Sequence, residues 1–211
     1  MPSHKEKTSK PGSKLSSWLI FAGILFFLAG LVIFILTFFP VIKEESRYSF
    51  KSLLIKKNQP IKPVNEEFGI VIPKIEANAK VIKNVNPFDE KAYQRVLTQG
   101  VAHAQGSGLP GHTGNSFIFA HSSGNWYEAN QYNSIFYLLH KLEKGDEIDL
   151  YYEKQKYIYK VTEKKLVNAD EVRYLGDTLK NTSTVTLMTC WPPGTTLKRL
   201  IIIAEITNTS Q

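Results

Sequence analysis

Cys190 is the only cysteine in this chain of 211 residues. It lies in the run Thr186-Leu187-Met188-Thr189-Cys190-Trp191-Pro192-Pro193-Gly194, and Arg199 follows shortly after. A thiol attacks only as its thiolate, and a nearby cation favours that form. The same cation can stabilise an oxyanion. The Thr, Val and Leu content of residues 183–189 suits a strand. Pro192-Pro193-Gly194 predicts a turn, because proline lacks the ladder N–H and glycine permits φ > 0. Residues 199–207 (RLIIIAEIT) read as a second, largely buried strand. The pattern therefore sets a thiol at the end of one strand and a guanidinium at the start of the next. A lone cysteine is also commonly a small buried hydrophobe, so the search for a base decides between the two.

A cysteine nucleophile needs a basic or ion-pair partner. Of the five histidines, His4 falls in a polar tail, and His140 falls on a helical pattern over Ile135 to Leu142, where packing is its natural role. His121 ranks first: Ser116-Phe-Ile-Phe-Ala120 is an apolar strand that delivers it at its end, the same logic that places Cys190. His112, in a glycine-rich loop, ranks second, and His103, in a short strand, third. Their equal spacing has no helical or strand meaning, so zinc binding is not supported. Ser122 and Ser123 beside His121 lack the G-x-S-x-G elbow of a serine hydrolase. Gly106, Gly108 and Gly111 match G-x-G-x-x-G literally, but Pro110 interrupts the run, and no helix or βαβ unit follows to bind a dinucleotide.

The elements that would carry these groups are short. Strands are expected at Phe68 to Pro73, with Ile75 and Ala79 to Ile82 continuing the β pattern, and at Val101 to Ala104, Ser116 to Ala120, Glu147 to Tyr152, Tyr157 to Thr162 with an extension through Val167, Thr182 to Thr189, and Arg199 to Thr207. Asn86-Pro87 opens a helix with Asn86 as its cap, ended by Gly100. Glu153-Lys154-Gln155 makes a hairpin. Seven or eight strands with two or three short helices, and turn signals every ten residues or so, argue a closed or nearly closed β-barrel.

Upstream, residues 1–17 form a basic, polar tail, expected to be disordered. Trp18 to Phe39 carries no charge and would span about 33 Å as a helix, against a bilayer core of roughly 30 Å. No signal-peptide cleavage pattern follows it, so it reads as an uncleaved transmembrane signal anchor. The basic tail favours an inside N-terminus, with the bulk of the chain outside. Residues 40–67 read as a stalk, partly helical near Tyr48 to Ile55 and broken by Pro60 and Pro63, and residues 68–208 as the catalytic domain. No second span follows. The net charge is +7, but the lysines are scattered and no nucleic-acid motif accompanies them. That excess suits an anionic membrane or wall surface, and no nucleic-acid partner is expected.

A basic tail, one span, a β-rich domain, strand-end His121, and T-L-x-T-C-x-P-x-G followed by Arg199 together resemble the sortases. Gly111-x-x-Gly114-Asn115 also looks like the family's pattern. One departure is Ala120-His121-Ser122, where many members have Gly-His-Arg. The resemblance implies an eight-stranded β-barrel and an extracytoplasmic cysteine transpeptidase at the bacterial cell membrane; no cofactor and no metal ligands are assigned in the sequence. Carried over, Cys190 attacks the threonine carbonyl of an LPxTG-type sorting signal, and His121 protonates the departing amine and deprotonates the incoming one. Arg199 holds the substrate backbone and the oxyanion. The implied partners are surface proteins or pilins bearing that signal, and an amine on a cell-wall precursor or a pilin lysine. Thr189, Trp126 and Trp191 are candidate substrate-binding residues. The single N-terminal span looks more like class D or E than the pilin-polymerising class C. A membrane-tethered cysteine hydrolase and a non-catalytic binding module are the rival readings.

Overall fold

The computed structural model describes residues 18–35, 46, 61–122, 135–176 and 182–210. The tail, most of the stalk, residues 36–39 of the expected span and Trp126 lie outside the described residues. The chain divides into two units, residues 1–39 and 40–211.

In the first unit, α1 (Trp18–Ile35) is one apolar helix with a mean hydropathy of 2.8 and no part of that window buried. A helix apolar on every side and exposed on every side suits a lipid solvent. By length and composition it is long enough to cross a membrane.

The second unit holds eight strands: β1 (Phe68–Ile72), β2 (Ala77–Val85), β3 (Val101–Ala104), β4 (Gly114–Phe119), β5 (Glu147–Tyr152), β6 (Gln155–Asn168), β7 (Ser183–Trp191) and β8 (Lys198–Ser210). They close into a barrel in the order β1-β2-β3-β4-β7-β8-β6-β5. Ile70, Ile72, Ile148, Leu150, Tyr159, Leu187 and Ile202 fill its core, each such side chain contributing on the order of 1.5–3 kcal/mol by leaving water. The barrel agrees with the expectation from strand count and turn spacing.

Several boundaries differ from those expected, each for a local reason. The helix α2 (Glu90–Leu97) starts later than Asn86, because its cap is Asp89, whose side chain accepts from the Ala92 N–H. Asn86 instead closes a small turn onto the Phe88 N–H. The helical pattern at Ile135 to Leu142 becomes a 3-10 turn, Tyr137–Lys141. Its C-terminal carbonyls at His140 and Leu142 are capped by Lys164 Nζ at 2.9 and 2.8 Å. Another 3-10 turn spans Arg173–Leu175. The β5–β6 hairpin turns on Glu153 and Lys154, both at positive φ. Their N–H groups are held by the carbonyls of Glu67 and Glu66 at 3.0 Å. Strand β6 begins at Gln155 and runs on to Asn168, along the whole of β8.

The glycine-rich loop docks on the barrel and forms no phosphate cradle. Gly111 has φ +80°, and a Cβ there would run into the Tyr157 ring. Its N–H donates to Tyr159 Oη at 3.0 Å.

Candidate active site

Three neighbouring strands carry the site. Strand β7 lies parallel to β4, with Phe117 beside Thr186 and Phe119 beside Met188. Continued by two residues, this register sets His121 beside Cys190. On the other side β8 runs antiparallel, and Cys190 stands directly opposite Arg199. Alternation along the strands then puts His121, Cys190 and Arg199 on one face, in a row across β4, β7 and β8. Each of the three is half-buried. The row sits where β4 and β7 end, which leaves the heads open to a substrate while their backbones stay anchored in the ladder.

Buried polar bonds fix that anchorage. Thr189 is 2 % exposed and faces away from Cys190. Its hydroxyl donates to the Ala120 carbonyl at 3.0 Å, while the Ala120 N–H donates to the Met188 carbonyl at 3.2 Å. The residue before Cys190 thus holds the residue before His121. Deeper along the same strands, Asn115 accepts from Thr186 Oγ1 at 2.9 Å and Thr184 Oγ1 at 3.3 Å. Its amide donates to the Tyr174 carbonyl at 3.2 Å, tying the segment between β6 and β7 to the floor of the site. A buried network satisfied in this way fixes one geometry.

Arg199 donates through Nη1 to the carbonyls of Thr196 and Lys198 at 3.1 and 3.2 Å. Guanidinium carries further donors on Nη2 and Nε in a planar fork. The loop therefore steadies the head through one nitrogen, and the fork has two more with which to bind a carbonyl or an oxyanion.

The remaining candidates are elsewhere. His103 is 1 % exposed. Its Nε2 meets the Gly108 carbonyl at 2.8 Å and Ser107 Oγ at 3.0 Å, pinning the glycine loop. Burial, and secondarily the nearby Lys83 charge, push its pKa below the ordinary value against the opposing effect of the Gly108 carbonyl, so it is a neutral packing group. His112 is exposed, with Nδ1 on the Pro110 carbonyl at 3.2 Å. His140 packs on Trp191 with ring centroids 5.0 Å apart. Trp191 lies on the side of β7 opposite Cys190 and packs against the core. Ser122 is buried, 4 % exposed. Among the described residues no group of His, Cys, Asp and Glu could hold a metal ion.

One residue near the site has no sequence signal. Tyr93 of α2 meets Phe119 edge-on, with centroids 5.9 Å apart and an interplanar angle of 85°. A tyrosine on an amphipathic helix reads as packing, and nothing local links it to a strand end far along the chain.

A protein-family model, Sortase domain, matches residues 70–207. Solved structures similar to this chain include sortase A of Listeria monocytogenes, at 26% identity and TM-score 0.56 over 68% of this chain and 88% of that one. Sortase C of Clostridium perfringens, in a structure with the C-terminal cell wall sorting motif, is 27% identical with TM-score 0.56, over 79% of this chain and 87% of that one. The Clostridium perfringens Sortase D5 transpeptidase shares the fold at 22% identity and TM-score 0.55, over 78% of this chain and 89% of that one. These span three classes and single out none. Among curated proteins, no sequence matches the chain significantly.

Proposed function

The chain belongs to the sortase family and is a cysteine transpeptidase by fold and family; from that premise we propose that it cleaves an LPxTG-like sorting signal with His121, Cys190 and Arg199 as its reacting groups. The observation that carries this reading is their alignment on one face of three adjacent strands at the barrel's end.

In the proposed reaction the Cys190 thiolate attacks the threonine carbonyl of the signal. The carbonyl π electrons move to oxygen, which Arg199 stabilises. Collapse re-forms the carbonyl as a thioester and expels the amine, which takes its proton from His121. An incoming amine then gives a proton to His121, attacks the thioester and releases Cys190. The acceptor is an amine of a cell-wall precursor or a pilin lysine. Helix α1 anchors the enzyme in the bacterial cell membrane, with residues 1–17 inside and the barrel outside. Residues 40–67 act as the stalk, and 68–208 as the catalytic domain. The apolar length of α1 and the basic tail support that topology.

The test uses the full chain in detergent micelles, a quenched peptide containing Leu-Pro-Glu-Thr-Gly, and hydroxylamine or a glycine-based amine. Mass spectrometry should find an acyl adduct on Cys190 and the amine-capped product. Adduct with water as the only acceptor would favour the hydrolase reading, and no adduct across a panel of signal sequences would leave the binding module.

A further inference from the structure

Helix α2 packs on β2 and β3 and reaches β4 through Tyr93. Its apolar stripe is Tyr93, Val96 and Leu97, at helical spacing. Leu97 enters the core, and Val96 packs against it. Tyr93, one turn earlier, lays its ring edge-on against Phe119. Phe119 shares its face of β4 with His121 and is the direct neighbour of Met188, which precedes Cys190 by two positions on the same face of β7. The Tyr93 ring therefore meets the face of β4 that carries His121. Tyr93 is half-buried, and its ring is held by Phe119.

The electrostatics of that phenol agree with the placement. Its pKa stands above the ordinary value, first through burial, then through the charges of Glu90 and Cys190, with Arg199 and the Gln94 side chain acting the other way. The ring on Phe119 stands on the face that carries His121, Cys190 and Arg199, and the oxygen of a tetrahedral adduct on Cys190 would stand on that face if Arg199 binds it. A phenol with a raised pKa also stays protonated across the working range, and so remains a neutral donor.

We propose that Tyr93 donates its O–H to the scissile carbonyl oxygen as that oxygen becomes an oxyanion, sharing it with Arg199. This rests on the transpeptidase reading above. The proton stays on Tyr93 throughout. The electron pair that moves to oxygen during attack returns when the thioester forms, and the amine leaves with the proton from His121.

Tyr93→Phe keeps the ring on Phe119 and deletes only the hydroxyl. With the full chain in detergent and the Leu-Pro-Glu-Thr-Gly peptide, the single-turnover acylation rate should fall about 10- to 100-fold with KM within about 2-fold of wild type. Alkylation of Cys190 by iodoacetamide passes through no carbonyl adduct, so its rate should not change. An unchanged melting temperature would verify the fold. Acylation within about 2-fold of wild type would overturn the proposal, as would a rise in KM alone. Equal slowing of acylation and alkylation would also overturn it, because the hydroxyl would then act on the thiol. If wild type itself forms no adduct while its thiol is alkylated normally, the functional reading fails first and the proposal with it.

Discussion

On the wall of β1, β5 and β6, Asp149 and Lys156 meet across two strands at 2.8 Å. On the wall of β4, β7 and β8, Cys190 and Arg199 stand opposite each other across two strands. Both are cross-strand pairs that set an acidic group near a basic one. Asp149 sits mid-strand and is 4 % exposed, so its ion pair is used up within the wall. Burial pushes its carboxyl up to about 6, against the Lys156 hydrogen bond and charge and with the Glu147 charge adding to the rise. Cys190 and Arg199 are half-buried at the strand ends, and the guanidinium leans on its own loop through one nitrogen. The same ladder geometry makes a staple in the middle of a wall and an accessible pair at its end, which the proposed reaction uses as its reagents. The difference lies in whether a third molecule can reach the pair.

Removing a reagent should abolish chemistry and leave the fold. Cys190→Ala is expected to lose the acyl adduct and at least about 10⁴-fold in turnover, with the melting temperature nearly unchanged. His121→Gln should cost on the order of 10²–10⁴-fold through the lost proton transfers. Mass spectrometry and amine-capture assays read both.

Arg199→Lys tests whether the fork matters beyond its charge. Turnover should drop about 10²-fold, because an ammonium cannot keep the loop carbonyls and the oxyanion together; near-normal turnover would remove Arg199 from its assigned role. Thr189→Val tests the hidden link between the two strand ends. It should lower stability by about 1 kcal/mol and kcat by several-fold, with KM unchanged, since its hydroxyl reaches Ala120 and not the substrate.

The staple should behave in the opposite way. Asp149→Asn is expected to leave turnover within about 2-fold of wild type, because the pair lies on another wall. Its effect should appear in the pH dependence of stability. Asp149 binds its proton more tightly folded, at about 6, than unfolded, at about 3.9. Its stabilising contribution is therefore complete below about pH 4 and lost as pH rises through about 6. Relative to Asp149→Asn, the wild-type melting temperature should fall by about 5 °C between pH 4 and pH 7. A flat difference between the two proteins would refute the buried, proton-favouring environment.

Much of the site could be read in the chain because strand ends and tight turns are local events. Pro192-Pro193-Gly194 joins β7 to β8, so a thiol before it and a guanidinium after it come together by hairpin geometry alone. The strand-end position of His121 was legible for the same reason. Helix starts were harder to read: Asn86 and Asp89 are both good caps, and only the fold decides which N–H groups need one. The packing of Trp191 was not legible, because its partner His140 comes from a distant turn.

Sequence alone fixed the apolar length of α1, the alternation of the strands and the Cys190–Arg199 opposition, all set by bond geometry and residue type over a few positions. Tertiary structure decided that β4 lies parallel to β7, which brings His121 to Cys190. It also decided that α2 folds back to set Tyr93 over Phe119. Parallel neighbours need a long crossover, and the choice of neighbour depends on how the whole barrel closes around its core.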